Sequence, residues 1–387
     1  MSKRWPTRPF ESVVDSRGSG STGLPTKLWS ESGSYPVIGQ GSEQIEGWTD
    51  RQDLLVTPNP SIVLYGGHTR RVKRVTTPFV PGPNVKLLQP HSGLDSAFLT
   101  YFLMHLPIEN RGYADHFPLV RKSLIPLPPL SEQRRIVDIL DKTFENIAIA
   151  SANTEKNIAN AKELFQSELD AIFEPRGGEW ELLTVRDLVN RDVLHKPFDG
   201  NHGDAHPTRR DYVSVGVPFL MTSDLHNGLA DTRNCKHISR KMADALRTGF
   251  ARDNDVLLSH KGTIGKAAVL HTDLDYVILT PQLTSYRVVD PRRLLNRYLY
   301  YYFQNTGFQR TMSLLAGAGS TRSYLGITKQ LDLPIAIPPL PEQRQITARL
   351  DKLSETTLIA SDLYRKKSLL IMNLKPSVLH AAFDGEL

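Results

Sequence analysis

The sequence predicts a mixed α+β protein in which two globular domains are separated by two long helices forming an antiparallel coiled coil. The segment from Ile125 to Lys142 returns at Ile335 to Lys352 with 11 of 18 residues identical and a constant offset of 210. Both copies continue to residues 173 and 383 without an insertion, and their apolar residues recur at helical spacing. Each copy is preceded by several short segments rich in β-branched residues, which are typical of strands.

Composition limits the class of protein. A chain of 387 residues has room for two or three domains, and 40% hydrophobic with 23% charged residues is ordinary for a globular protein. The single cysteine, Cys235, excludes intrachain disulfides and multi-cysteine zinc sites, so a reducing cytoplasm is expected. Apolar runs are too short to predict a membrane span. The net charge of +6 allows a polyanionic partner.

The first predicted domain covers residues 1–127. It opens with a short element at Trp5–Val14, continues with strands at Asp53–Thr57 and Ser61–Tyr65, and has a helix at Ser96–Leu106. A glycine turn directly after the second strand leads into a cluster of cations, which are candidate contacts for an anionic partner. These cations are Arg70, Arg71, Lys73 and Arg74.

The first long helix is predicted within residues 128–175 and the second within 338–387. The pairs Pro128-Pro129 and Pro338-Pro339 force an extended approach that cannot continue a helix, and an acid follows each pair where negative charge favours a helix start. Equal lengths favour pairing of the two helices; the alternative is two amphipathic helices in separate cores. Candidate packing and partner-docking residues come from both copies: Glu132, Gln133, Arg134, Ile136, Leu140, Glu342, Gln343, Arg344, Ile346 and Leu350.

The second predicted domain, residues 176–337, repeats the first more loosely. Trp180–Val189 matches the opening element, Asn296–Phe303 matches the helix, and Asp255–Lys266 aligns with Asp53–Tyr65. The first copy is about 35 residues shorter between its tryptophan and its proline pair, counted from the sequence. We therefore expect the two domains to recognise different ligands.

The segment His260–Lys266 (HKGTIGK) is a candidate anion-binding turn. It departs from the phosphate-loop pattern because Ala267 follows the lysine where serine or threonine is required. A hairpin turn that presents lysines to an anion fits better, and a plain surface hairpin is the alternative. The candidate contacts are His260, Lys261, Thr263 and Lys266.

A second candidate is Gly317–Tyr324 (GAGSTRSY), where small residues allow a close approach of the backbone. Ser320, Thr321 and Arg322 could donate to phosphates or base edges, and the alternative is a flexible loop.

Metal and catalytic motifs are not found. The histidines at 195, 202 and 206 lie in a Gly-rich segment without helical i, i+4 spacing, which favours a loop over a metal site, so no metal is expected. HExxH, GxSxG, Walker and adenine-methyltransferase tetrad sequences do not occur, so no catalytic residue is predicted.

The doubled motif PPLxEQRxI, within Leu127–Ile136 and Ile337–Ile346, together with YPVIG at 35–39 and KGTIGK at 261–266, resembles the specificity subunit of type I restriction–modification systems. The resemblance implies two target-recognition domains that each read one half of a split site in double-stranded DNA, with the helices as spacer. It implies a non-catalytic chain that directs adenine-N6 methylation or cleavage by two methyltransferase subunits and by restriction subunits. AdoMet and ATP with Mg²⁺ would then belong to those partners. The alternatives are a coiled-coil scaffold without sequence-specific DNA binding and an enzyme with an unrecognised site.

Overall fold

The computed structural model describes residues 5–20, 23–174, 180–200, 202, 206–317, 324–384 and 386–387. Two compact units emerge from the contacts. Unit 1 consists of residues 1–156 and 364–387, and unit 2 consists of residues 157–363. Each unit therefore contains a globular part, one part of the first long helix and one part of the second.

The first part of the chain builds a four-stranded sheet in the order β2-β8-β5-β6, a three-stranded sheet in the order β4-β3-β7 and the pair β1-β9. The strands are β1 (Thr7–Pro9), β2 (Val14–Gly18), β3 (Tyr35–Ile38), β4 (Gly47–Thr49), β5 (Ile62–Gly66), β6 (Val72–Val75), β7 (Val80–Pro81), β8 (Val85–Pro90) and β9 (Leu124–Pro126). The helices are α1 (Ser96–His105), α2 (Phe117–Val120) and α3 (Leu130–Phe173).

The core of unit 1 lies between the four-stranded sheet and α1. Val63 and Leu88 from the sheet and Phe98 from α1 have no exposed surface. Asp95 caps α1, since its side chain accepts from the backbone N–H groups of Ala97 and Phe98. The predicted helix at Ser96–Leu106 is thus confirmed.

Unit 2 builds a six-stranded sheet in the order β11-β21-β18-β19-β15-β14, a five-stranded sheet in the order β12-β16-β13-β20-β17 and the pair β10-β22. The strands are β10 (Glu181–Thr184), β11 (Phe198–Asp199), β12 (Tyr212–Val213), β13 (Val217–Leu220), β14 (Leu225–His226), β15 (Leu229–Ala230), β16 (Lys236–Ile238), β17 (Phe250–Ala251), β18 (Val256–Ser259), β19 (Ala267–Val269), β20 (Val277–Leu279), β21 (Leu283–Tyr286) and β22 (Pro334–Ile337). The helices are α4 (Val185–Asn190), α5 (Arg240–Asp244), α6 (Asn296–Gln304), α7 (Thr306–Leu315) and α8 (Ile327–Gln330), followed by α9 (Leu340–Phe383), which begins in unit 2 and ends in unit 1.

The two long helices are equal in length. Both α3 and α9 have 44 residues, and their bounds differ by the same offset of 210 that relates the sequence motifs. Within unit 1 they run antiparallel, because Arg135 donates to the carbonyl oxygen of Leu387 at 2.8 Å while Lys375 Nζ lies 5.5 Å from the ring centroid of Phe144. Within unit 2, Leu169 of α3 packs in one core with Ile346 and Leu350 of α9. The predicted helical pair is confirmed.

A buried glutamine fixes the start of each long helix. Gln133 donates to the carbonyl oxygens of Gly93 and Pro128 at 2.8 Å and accepts from the N–H of Asp95 at 2.8 Å. Gln343 repeats this pattern: it donates to the carbonyl oxygens of Arg293 and Pro338 at 2.8 and 2.9 Å and accepts from Leu295 N–H at 2.9 Å. In both copies the glutamine ties the loop before α1 or α6 to the helix, which explains this part of the repeated motif.

The other motif residues divide into packing and surface positions. Ile136, Leu140, Ile346 and Leu350 are buried in the unit cores. Glu132 pairs with Arg135, and Glu342 accepts from the indole N–H of Trp180 at 3.1 Å. Arg134 and Arg344 are exposed at equivalent positions of the two helices. Of the ten predicted packing and docking residues, these two are the most accessible to solvent.

One predicted strand is wrong. Residues Gln52–Leu54 form a short 3-10 helix, and Val56 makes an isolated bridge to Phe79 instead of belonging to a strand. The sequence alignment of Asp255–Lys266 with Asp53–Tyr65 fails for the same reason. The structural counterpart of β18 is β5, because both strands form a hairpin on one side and pair with a later strand, β21 or β8, on the other.

Among the described helices, none combines the length and the apolar character that a membrane crossing requires.

Candidate nucleic-acid interface

The candidate interface of unit 1 is the turn that joins β5 to β6. The turn closes through hydrogen bonds from Gly66 N–H to the carbonyl oxygen of Arg71 and from Arg70 N–H to that of Gly66, each 2.8 Å long. A Cβ on Gly67 would lie 2.8 Å from Oδ1 of Asp115, so glycine allows the next loop to approach this turn closely. The turn therefore holds its cations in a defined hairpin.

The four predicted cations of unit 1 differ in accessibility. Arg71 and Arg74 are exposed, whereas Arg70 is half-buried and donates to the carbonyl oxygen of Ile108 at 2.7 Å. Lys73 is buried, and its Nζ lies 2.5 Å from Oε1 of Glu46. A buried ion pair of this kind is a structural contact. This placement does not fit the predicted direct contact from Lys73.

The loop at residues 108–116 packs against this turn. His116 is fully buried; its backbone N–H donates to the carbonyl oxygen of Gly67 at 2.8 Å, and its Nε2 accepts from Arg111 N–H at 3.1 Å. Nδ1, which lies 3.1 Å from the oxygen of Gly67, therefore carries the ring proton. The loop is thereby fixed to the hairpin.

An exposed aromatic residue sits on this loop. The Tyr113 ring stacks on His68 with a centroid distance of 4.4 Å and an interplanar angle of 7°, and 81% of Tyr113 is exposed. Sequence reasoning did not single out Tyr113. The signal that was present is the aromatic residue within a loop that also carries Arg111.

The hairpin of unit 2 occupies the equivalent position. β18 and β19 are joined by a longer turn, in which Gly265 N–H and Lys266 N–H donate to the carbonyl oxygen and to Oγ of Ser259 at 2.9 and 2.8 Å. Gly265 has a φ of +88°, and a Cβ there would collide with Gln309, so only glycine fits. Lys261, Thr263 and Lys266 have accessible surface, as their predicted role requires.

His260 lies inside the base of this turn. Its side chain is fully buried, Nδ1 lies 2.5 Å from Oγ1 of Thr284, and Nε2 has no hydrogen-bond partner among the described residues. Burial lowers the pKa of His260 from 6.5 to about 4, outweighing the opposing effect of Asp199, whose Oδ2 lies 3.8 Å from Nε2. A neutral, buried imidazole does not fit the predicted direct contact and instead supports the turn.

Tyr324 joins the unit 2 hairpin from a distant part of the chain. It forms a β-bridge with Lys261, whose Nζ lies 5.9 Å from the tyrosine ring centroid, and the residue is 46% exposed. Leu325 N–H donates to the carbonyl oxygen of His260 at 2.9 Å, the counterpart of the bond from His116 to Gly67 in unit 1. Ser320, Thr321 and Arg322 lie outside the described residues.

The histidine-rich segment before β12 is described only at some positions. His202 Nε2 lies 2.7 Å from Oδ2 of Asp199, the carboxylate that also faces His260. His206 packs on Phe219 with ring centroids 5.6 Å apart, and His195 is exposed.

Among the described residues, both units thus present a hairpin turn with exposed cations, and a backbone hydrogen bond links this turn to a segment that carries an exposed tyrosine. Arg71 and Lys266 each directly precede the returning strand. The turns differ in length and sequence, so the two surfaces differ chemically. Cations with adjacent aromatic rings suit a nucleic-acid backbone and its bases.

The chain is similar to known proteins in sequence and in fold. A family model described as the type I restriction modification DNA specificity domain matches residues 3–160 and 180–366. The Haemophilus influenzae putative type I restriction enzyme specificity subunit S.HindORF215P is 24% identical over 347 residues, which cover 84% of this chain and 82% of that protein. The Escherichia coli EcoBI specificity subunit is 21% identical over 298 residues, 69% of this chain. The match spans only 59% of that E. coli protein.

Two solved structures share the fold. The HsdS subunit from Thermoanaerobacter tengcongensis superposes with a TM-score of 0.61 at 18% identity, covering 100% of this chain and 98% of that chain. A chain from a study of complex assembly and conformational transition of the type I R-M system superposes with a TM-score of 0.70 at 18% identity, covering 99% of this chain and 100% of that chain.

Proposed function

Because the chain belongs to the family of type I restriction modification DNA specificity domains, we propose that it is the DNA specificity subunit of a type I restriction–modification complex. It reads an asymmetric, bipartite site in double-stranded DNA and directs adenine-N6 methylation or cleavage by partner subunits. The observation that carries this proposal is the duplicated hairpin with different exposed side chains in its two copies. Two hairpins that present different side chains to DNA imply two different half-sites.

The hairpin turns supply the DNA contacts in this proposal. Arg71 and Arg74 of unit 1, with Lys261, Thr263 and Lys266 of unit 2, have the accessibility that a contact to phosphate or base edges requires. Tyr113 and Tyr324 add aromatic surface beside these cations. Arg70 and the segment Ser320, Thr321 and Arg322 remain proposed contacts, whereas Lys73 and His260 act as supports beneath the turns.

Methyltransferase subunits are the proposed occupants of the exposed apolar helix surfaces. In unit 1, α9 exposes 61–71% of Leu369, Leu370 and Met372. In unit 2, the same helix exposes 55–60% of Ile359 and Leu363. Exposed apolar side chains that follow one another along a long helix favour a helical partner. One such surface in each repeated unit supports two methyltransferase subunits, one per unit, with restriction subunits joining them.

In this proposal the chain is non-catalytic and works in the cytoplasm. AdoMet belongs to the methyltransferase subunits, and ATP with Mg²⁺ belongs to the restriction subunits. A specificity subunit needs to grip the duplex while a partner rotates the target adenine out of the stack, because a base inside the duplex is inaccessible to the methyltransferase.

Selection from a random duplex library tests this function. The chain is purified with its methyltransferase partner, bound fragments are sequenced, and the methyltransferase alone serves as control. We expect enrichment of one motif with two different halves separated by unspecified base pairs. Enrichment of an uninterrupted motif, or no enrichment over the control, would contradict the proposal.

A further inference from the structure

Two histidines and an aspartate converge in unit 1, away from the hairpin turn. His105 is the last residue of α1, and His380 lies in the last turn of α9, four residues before Asp384. One ligand atom from each of the three side chains lies within 4.8 Å of the other two. Among the described residues, these three side chains form the one group of three or more histidine, cysteine or acidic ligands that satisfies this distance limit.

The surrounding contacts orient the three side chains. His380 Nε2 lies 3.0 Å from Oδ2 of Asp384 across one helical turn. The His105 ring stacks on Phe383 with a centroid distance of 5.3 Å and an interplanar angle of 18°. The ring centroids of the two histidines are 5.8 Å apart. His105 is half-buried, while His380 and Asp384 are exposed, so the cluster is open to ions from solvent.

The ligand set selects a class of metal. Imidazole nitrogen with one carboxylate suits Zn²⁺ and neighbouring transition metals, whereas Mg²⁺ and Ca²⁺ prefer oxygen ligands. Bonds of about 2.1 Å in a tetrahedral site place ligand atoms about 3.4 Å apart. The three ligand atoms lie within 4.8 Å of one another, so a bound ion would draw them closer together, and three protein ligands leave the fourth position for water.

We propose that His105, His380 and Asp384 form a site for a divalent transition metal ion, with Zn²⁺ as the representative ion. A metal bound there links α1 of the globular part to the end of α9. Metal binding to the folded chain alone would then stabilise unit 1 in proportion to the logarithm of the metal concentration. This role is independent of DNA recognition.

The ligands come from elements far apart in the chain, which is why the sequence predicted no metal site. The pair His380 and Asp384 alone would read as an i, i+4 ion pair on a helix surface. The third ligand distinguishes this cluster from such a pair. His91 and Asp15 provide the matched comparison, since His91 Nε2 lies 3.0 Å from Oδ1 of Asp15 and the two belong to no group of three ligands among the described residues.

The test uses the full-length chain without an affinity tag, stripped with EDTA and dialysed. Zn²⁺ affinity is measured by competition with a chromophoric chelator, and thermal unfolding is followed with and without Zn²⁺. The variants are His105→Gln and Asp384→Asn, with His91→Gln as control. The metal-free unfolding temperature of each variant identifies any loss of fold, and Asp384→Asn alters an exposed side chain that the fold tolerates best.

We expect the wild type and His91→Gln to bind one Zn²⁺ at high affinity and to unfold at a higher temperature with Zn²⁺. His105→Gln and Asp384→Asn should each weaken that binding at least about tenfold and reduce the shift in unfolding temperature at the same Zn²⁺ concentration. Zn²⁺ binding and stabilisation that remain equal to the wild type in both variants would overturn the proposed site, and so would a wild type that binds no Zn²⁺.

Discussion

At the scale of single residues, the buried glutamines are the clearest product of the repeat. Gln133 and Gln343 each satisfy two carbonyl oxygens and one N–H from other segments, with no exposed surface. Removing one amide leaves these backbone groups buried without partners, and each such group costs about 1–3 kcal/mol. The glutamines therefore stabilise the junction between the globular part and the long helix, and as buried side chains they are not available for contact with a partner.

We predict that Gln343→Leu lowers the free energy of unfolding by about 2–4 kcal/mol, because buried backbone groups are left without partners. Denaturant unfolding of the full chain measures the change, and Arg344→Leu at the neighbouring exposed position serves as control. Equal stability of Gln343→Leu and the control would show that the hydrogen bonds contribute nothing.

His260 predicts a pH dependence of stability. Its pKa is about 4 in the folded chain against 6.5 for an unperturbed histidine, so acid favours the unfolded chain, which binds the proton first. The stabilisation is complete above pH 6.5 and is lost as the pH falls towards 4, by up to about 3 kcal/mol. Unfolding of His260→Gln should depend less on pH in this range, with exposed His195→Gln as control. The same pH dependence in His260→Gln and wild type would contradict this assignment.

The turn lysines of unit 2 predict a salt-dependent DNA affinity. Replacing Lys261 and Lys266 with alanine should weaken binding to the cognate site and reduce the slope of log affinity against log salt by about 1 for each phosphate that is no longer neutralised. Binding is measured on the assembled methyltransferase complex at several salt concentrations. Lys241→Ala, exposed on α5, is the matched control. An unchanged slope in the double variant would remove both lysines from the interface.

At the scale of elements, the two long helices were predictable because their determinants are local. Proline pairs stop the preceding strands, apolar residues recur at helical spacing, and the identical offset reveals equal lengths. Pro376 lies inside α9 without ending it, although its missing N–H removes one hydrogen bond of the helix. Packing of Leu379 and Ala382 in the core of unit 1 holds the last turns of this helix.

If the helices set the gap between the half-sites, lengthening both should change the gap alone. Inserting seven residues into the polar middle of each helix, after Thr154 and after Tyr364, preserves the apolar repeat and adds about 10 Å of helix. We expect the same two half-sites, separated by more unspecified base pairs, when methylated motifs are sequenced. An unchanged gap would show that the helices do not set it. The same insertion in one helix alone should abolish methylation by the complex.

At the scale of the whole molecule, the repeat made the doubled architecture and its two long helices predictable, whereas it did not predict which side chains are exposed. Lys73 shares the buried face of β6 with Val75, a placement that depends on the partner strand and not on charge. His260 looked like part of a basic turn, yet the fold places it beneath that turn against Thr284. Tyr113 and the His105 cluster need contacts between distant segments, which short motifs do not encode.

The duplicated organisation predicts independent half-sites. Replacing residues 180–337 with the corresponding region of another family member should change one half of the methylated motif and leave the other intact, because the unit 1 hairpin is untouched. Sequencing of methylated adenines measures the outcome. Simultaneous change of both halves would contradict separate readers.

The specificity role is tested most directly by mapping modified adenines in genomic DNA after AdoMet-dependent methylation by the methyltransferase, with and without this chain. We expect a single split, asymmetric motif that appears only when the chain is present. Methylation of the same motif by the methyltransferase without this chain would contradict a specificity role and favour a scaffold that organises protein partners.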